Sequence, residues 1–341
     1  MININKLTCT ETEDEIISHW KYIDRVYISC VCIVYNHELY IRDTLDSILA
    51  QETEYKFELV IHDDKSTDGT RDILLEYKNK YPNIITLILQ EENQYSKSPR
   101  IIPLTIPYLN GEYIALCEGD DYWIDKGKLE KQLKTLEKNK NINICFTAGF
   151  SYNTNLGYNV ISQHDNIPKI YSFDSIIIGG GEFIPTASIM VRKKTITKLP
   201  IWYFTAPVGD YFLQIFASAP SGALYLPDIT ICYRINTIGS WSSNRSNLLP
   251  EDIINEAQLY EKTFAQLRND FTENNSISIA MAKQYYKYSI ILLKSKKYTY
   301  SSDMIKKSWA CHKNIHLKQN LIYKMRRVLP ILKFLTTLLQ K

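Results

Sequence analysis

The most constraining feature of this chain is an apolar run that ends in acids: Tyr113-Ile114-Ala115-Leu116, then Cys117-Glu118-Gly119-Asp120-Asp121-Tyr122-Trp123. Such a run reads as a buried strand that delivers carboxylates to the C-terminal edge of a sheet, where open α/β folds bind ligands. Glu118, Asp120 and Asp121 repel one another in a partly dry cleft unless a cation or hydrogen-bond donors share it. A divalent ion is the simplest remedy. All-oxygen ligands point to a hard one, Mg²⁺ or Mn²⁺, which also binds substrate phosphates. Taken alone, the same acids read equally as a surface turn capping the next helix.

The segments around this stretch repeat a strand-turn-helix pattern. The β-branched run over 26–34 predicts a strand, and Tyr35-Asn36-His37 leads into a helix with Ile41, Leu45, Ile48 and Leu49 at helical spacing. A strand over 57–61 enters the turn from His62 to Thr70, whose Asp, Ser, Thr and Gly suit a tight strand-to-helix connection. Asp68 reads best as a cap for the helix that follows, through Lys80. A third strand covers 84–89 and a helix 102–109, and a helix over 125–138 follows the acids with Asp125 as its N-cap. This alternation implies an α/β fold with a mostly parallel central sheet and helices on both faces. Further strands are expected over 144–150, 187–191 and 229–234, with Gly179-Gly180-Gly181 as a mobile loop. The expected organisation is an N-terminal extension with a short helix (1–25, with Ile16, Ile17, Trp20 and Ile23 on one face), a main domain (26–245) and an α-helical C-terminal region (246–341). A helical hairpin is expected from 284–294 and 299–312.

Charge and cysteine usage exclude some classes. Lys and Arg number 40 against 37 Asp and Glu, too balanced to select a nucleic-acid binder. The seven cysteines are odd in number, form no CxxC pair and sit mostly in strand-like sequence, so they read as reduced core thiols of a cytoplasmic protein. No apolar leader is evident, and no run reaches the roughly eighteen apolar residues of a membrane span. His312 and His316 lack the Glu of an HExxH pattern and do not read as a metal site. Residues 317–341 carry Lys318, Lys324, Arg326, Arg327, Lys333 and Lys341 with no acid, while Leu329, Ile331, Leu332, Leu335, Leu338 and Leu339 supply apolar area. That end is a candidate for peripheral contact with an anionic membrane, the alternative being packing on the main domain.

Four features in order are together similar to family 2 glycosyltransferases of the GT-A fold, over about residues 26–245. They are a first strand ending in IVYNHE, the DDKSTDGT turn, CEGDDYW, and Gly209-Asp210 followed by Tyr233-Arg234 and Ser240-Trp241-Ser242. The resemblance implies a GT-A-like domain with a nucleotide-sugar half (26–125) and an acceptor half (126–245), the Gly triplet lying over the acceptor site. It assigns Tyr35, Asn36 and Glu38 to the nucleotide-sugar site, with Tyr35 beside the base. Asp64 would accept a hydrogen bond from a base N–H, with turn chemistry alone as the alternative. EGDD matches the family's DxD position, so Asp121 would ligate the metal and Asp120 would contact the ribose or share the ion. Glu118 stands where the family more often has Asp. Arg234 would bridge diphosphate oxygens or be a surface arginine at a strand edge. Asp210 would be the catalytic base, with helix capping as its alternative and Asp228 or Glu182 as other candidates. Lys126 and Asn236 depart from the Pro and His that many relatives carry.

The implied activity is inverting transfer of a sugar from a nucleotide-diphosphate sugar, a UDP-sugar favoured, to a glycan or lipid-linked hydroxyl. The implied setting is bacterial capsule, lipopolysaccharide or other surface polysaccharide. A sugar nucleotidyltransferase is one alternative, but it would carry a Gly-rich basic loop where this chain has YNHELY. A binding module without chemistry is the other, and intact Asp121 and Asp210 stand against it.

Overall fold

A computed structural model describes residues 4–97, 100–237, 249–271 and 275–329. The chain divides into two compact units. The first comprises Met1–Ile176, Gly181–Pro200 and Val208–Asn244, and the second Ile177–Gly180, Ile201–Pro207 and Arg245–Lys341.

The first unit opens with α1 (Glu13–Ser18), where Thr12 and Glu15 form a capping box. Ile16 is buried, but Ile23 is 62% exposed, because the helix is too short to carry the expected apolar face. One ten-stranded sheet follows. Its first half consists of β1 (Ile28–Val34), α2 (Ile41–Leu49), β2 (Phe57–Asp63), α3 (Thr70–Lys80), β3 (Ile85–Leu89), the single turn α4 (Ile102–Thr105) and β4 (Tyr113–Leu116). The four strands lie parallel in the order β3-β2-β1-β4. β1 and β2 are buried on both faces along almost their whole length, as helix-covered parallel strands require.

The second half contains β5 (Tyr122–Trp123), α5 (Lys128–Lys138), β6 (Ile144–Asn153), β7 (Gly157–Ile161), β8 (Lys169–Tyr171), α6 (Phe173–Gly179), β9 (Met190–Arg192), α7 (Lys193–Ile196), α9 (Gly209–Ser218) and β10 (Ala223–Arg234). β9 runs antiparallel between β4 and β6, and β10 is parallel to β6. Three local expectations are corrected. The Gly triplet is not a free loop: Gly179 ends α6, and Gly180 takes the left-handed φ of +74° that commonly terminates a helix. Residues 186–188 form a 3₁₀ turn, so the strand there begins only at Met190. Asp125 is not the N-cap of α5; it accepts the Gly127 N–H and pairs with Lys131, and the helix begins at Lys128.

The second unit is helical among its described residues. It contains α8 (Ile201–Thr205), α10 (Pro250–Phe271), α11 (Asn275–Lys294), α12 (Tyr298–Cys311) and α13 (Leu317–Lys324). Trp202 Nε1 donates to Asp270 across 2.6 Å, tying α8 to α10. Leu293, Ile305, Ile322 and Leu329 form a buried cluster. Leu329, expected on a membrane-facing side, is therefore core. The expected apolar residues from Ile331 to Leu339, and Ser240-Trp241-Ser242, lie outside the described residues. No described helix is long and apolar enough to cross a membrane.

Candidate active site

The acids reach the sheet edge because β4 does not end where its regular pairing ends. Cys117 N–H donates to Val31 O and Gly119 N–H to Ile33 O, so residues 117–119 run on beside the end of β1. The Thr44 hydroxyl of α2 lies 3.0 Å from the Gly119 carbonyl and 2.5 Å from that of Asp121. Ser47 Oγ accepts the Trp123 N–H. Helix α2 thus fixes both ends of the Gly119–Trp123 segment. Gly119 is required by packing, since a Cβ there would stand 2.6 Å from His37 Nδ1 and 3.0 Å from Val34 Cγ2. That His37 nitrogen is buried and unpaired, and burial lowers the imidazole pKa against the opposing pull of Asp120 and Asp68.

The carboxylates themselves are short of donors. Asp121 is fully buried; its Oδ1 accepts the Arg234 backbone N–H at 2.9 Å, and its Oδ2 has no partner. Burial raises its pKa well above the carboxylate range, and Asp120 and Glu118 add to the rise. Glu118 is pushed up to about 8 by burial, then by the charges of Asp120 and Asp210. Asp120 Oδ2 accepts the Thr237 hydroxyl at 2.7 Å. Asp210 is the second residue of α9, so it is not the N-cap, which is Val208. It accepts the Tyr211 N–H at 2.7 Å and lies 3.4 Å from the Thr186 hydroxyl. Burial raises its pKa; these hydrogen bonds and the Arg100 charge oppose the rise. Asp228, one of the two other candidate bases, is ion-paired with Lys131 at 2.8 Å.

Arg234 is not a surface arginine. Its side chain is buried, donates to the Asp120 carbonyl and to the Asp43 carboxylate, and lies 4.4 Å from the Tyr122 ring centroid and 5.3 Å from that of Tyr40. The guanidinium is bonded to the acid turn and to Asp43. A cavity of about 210 Å³ opens beside it, lined in part by Lys6, Tyr40, Asp43, Tyr152 and Thr237. A larger cavity of about 560 Å³, lined by Glu11, His19, Glu52, Glu130 and Lys134 among others, contains none of these groups.

The turns after β1 and β2 are stitched to each other. Asn36, at φ +56°, accepts the Thr67 N–H through Oδ1, and Glu38 accepts the Gly69 N–H. Asp68 accepts from Glu38 N–H and Thr70 N–H. Asp64 accepts the backbone N–H groups of Gln94 and Tyr95 at 2.6 and 3.0 Å. Tyr35 is 42% exposed. Thr44, Arg100, Thr186 and Thr237 carry no sequence signal, since their partners are brought together only by tertiary packing.

The orphaned Asp121 oxygen and an all-oxygen donor set fit a hard divalent ion. Among the described residues no three His, Cys, Asp or Glu form a ready cage, which suits an ion held by one or two carboxylates and completed by phosphates and water.

A helix-flanked mixed sheet, parallel through β3-β2-β1-β4 and carrying acids beyond β4, is a GT-A-like fold. The chain belongs to Glycosyl transferase family 2, whose sequence profile matches residues 29–198. It is 32% identical over 224 residues to an uncharacterised protein of Mycobacterium tuberculosis, a match spanning 63% of this chain and 61% of that one. It is 26% identical over 284 residues to the UDP-Glc:alpha-D-GlcNAc-diphosphoundecaprenol beta-1,3-glucosyltransferase WfgD of Escherichia coli, covering 82% of this chain and 97% of the relative. The fold superposes on S. aureus TarS 1–349 in complex with UDP-GlcNAc with a TM-score of 0.62 at 16% identity, over 89% of this chain and 86% of the other.

Proposed function

We propose that the protein transfers a sugar, with inversion, from a UDP-sugar to a glycan or lipid-linked hydroxyl during synthesis of bacterial surface polysaccharide. The observation that carries this reading is an acid cleft with one unsatisfied buried oxygen, on Asp121, in which Glu118 senses the charges of both Asp120 and Asp210. The glucosyltransferase activity of the E. coli relative and the nucleotide sugar bound by the S. aureus structure support the donor and acceptor classes.

In this reading the acceptor oxygen forms a bond to the anomeric carbon from the face opposite the diphosphate, while the bond from that carbon to the phosphate oxygen breaks. Asp210 takes the hydroxyl proton. Mg²⁺ or Mn²⁺ held by Asp121, with Asp120 assisting, would neutralise charge on the departing diphosphate. Arg234 holds the Asp120–Asp121 turn in place. Tyr35 offers its exposed ring to the base. Asp64 accepts one loop N–H on each oxygen and keeps a further lone pair on each, so it can also accept a base N–H while holding the Gln94–Tyr95 backbone. Asn36 and Glu38 shape the nucleotide site by holding its turns.

The test is release of nucleoside diphosphate from a panel of nucleotide sugars, with a lipid-diphosphate GlcNAc acceptor, in Mn²⁺ and in EDTA. Release from a UDP-sugar that requires acceptor and stops in EDTA is expected. Absence of release from every donor tried would overturn the reading.

A further inference from the structure

We propose that the second unit binds an anionic lipid bilayer through the exposed face of α13 and the turn after it. Leu317 is 85% exposed and Leu321, one helical turn on, is 42% exposed; Val328 follows at 41%. The inner side of the same helix is already filled. Gln319 is buried and donates to the Ser308 hydroxyl and the His312 carbonyl, both at 2.9 Å, and Ile322 joins the cluster of Leu293, Ile305 and Leu329. Tyr323 stacks on Trp309 with ring centroids 4.4 Å apart. The outward leucines lie away from this packing, largely so for Leu317, which leaves them available to an external partner.

Charge identifies that partner. Residues 304–329 contain seven Lys and Arg and no Asp or Glu. Lys306 and Lys307 pair with Asp303 and Glu261. Lys313, Lys318, Lys324 and Arg327 have no acidic partner among the described residues, and Arg326 lies over the Tyr323 ring at 4.1 Å. Exposed apolar side chains beside cations without acidic partners, on a packed helix, match a bilayer with anionic headgroups: the leucines enter the acyl boundary and the lysines remain at headgroup level. A lipid surface requires only charge and apolar depth.

The experiment is co-sedimentation of the full chain with vesicles of phosphatidylglycerol and phosphatidylcholine, and with phosphatidylcholine alone. Binding to the anionic vesicles, weakened at high salt, is expected. Leu317→Glu combined with Leu321→Glu should reduce the partition coefficient at least tenfold while leaving the circular dichroism spectrum unchanged, and Lys313→Glu with Lys324→Glu should reduce it similarly. Equal sedimentation of wild type and both variants would overturn the proposal, as would no binding by the wild type. A lipid-free dimer that Leu317→Glu dissociates would overturn it in favour of a contact between copies.

Discussion

Two regions at the same edge of the sheet are built on opposite principles. In the turns after β1 and β2 the side chains of Asn36, Glu38, Asp64 and Asp68 all accept backbone N–H groups, so these four are matched within the chain. In the acid stretch after β4 the balance fails: Asp121 keeps an unpaired buried oxygen, and Glu118, Asp121 and Asp210 are all driven toward their neutral forms by burial. Buried polar groups in folded proteins are normally satisfied, and exceptions point to a missing ion or a catalytic role. The contrast teaches that side chains of the first region are spent largely on holding its own turns, whereas the second leaves acceptor capacity that the proposed metal would use.

The contrast can be attacked directly. Asp210→Asn keeps an acceptor for the Tyr211 N–H but no longer takes a proton, so turnover should fall by roughly 10² to 10⁴ with donor affinity unchanged. Steady-state kinetics beside nucleotide calorimetry would check this, and near-normal turnover would return Asp210 to a helix-stabilising role. Asp121→Ala should weaken Mn²⁺-dependent UDP binding by about tenfold or more, on the scale at which ligand-shell losses act. Affinity indifferent to both EDTA and this substitution would sink the metal assignment.

A third prediction concerns pH. The folded pKa values of Glu118, Asp121 and Asp210 are raised, so their favourable contribution is complete below the ordinary carboxylate range and is lost as pH rises through the folded values, about 8 for Glu118. The ligand-free protein should therefore gain stability from this cleft as pH falls from about 8 toward 5. Glu118→Gln should flatten that slope in a melting series. The smallest effect is expected in the first region. Asn36→Ala loses one hydrogen bond and a residue tolerant of positive φ, and should cost about 1–2 kcal/mol of stability in urea titration while kcat changes only a few-fold. A large kinetic effect there would erase the distinction between the regions.

Sequence reading reached the parallel half of the sheet because each of its strands is a contiguous β-branched run whose signal is local. It reached the acid stretch because three carboxylates within four positions are conspicuous wherever they fall. Insertion of β9 between β4 and β6 was illegible, since Met190-Val191-Arg192 is too short to announce a pairing that depends on strands distant in sequence. The surface placement weighed for Arg234 fails for a related reason: a guanidinium looks exposed until Asp43, Tyr40 and Tyr122 are seen around it. Thr44, Thr186 and Thr237 are ordinary hydroxyl residues, and only their carbonyl and carboxylate partners distinguish them.

The close approach of Gly119 to His37 has an evolutionary consequence. Two positions far apart in the chain share one volume, so neither can drift alone. A lineage that places a side chain in the middle of the acid motif must first, or simultaneously, replace the imidazole with something smaller, and a lineage that keeps His at this site is bound to glycine at the other. In an alignment of relatives the pair should covary, and the letter between the acids should be predictable from the letter after the asparagine.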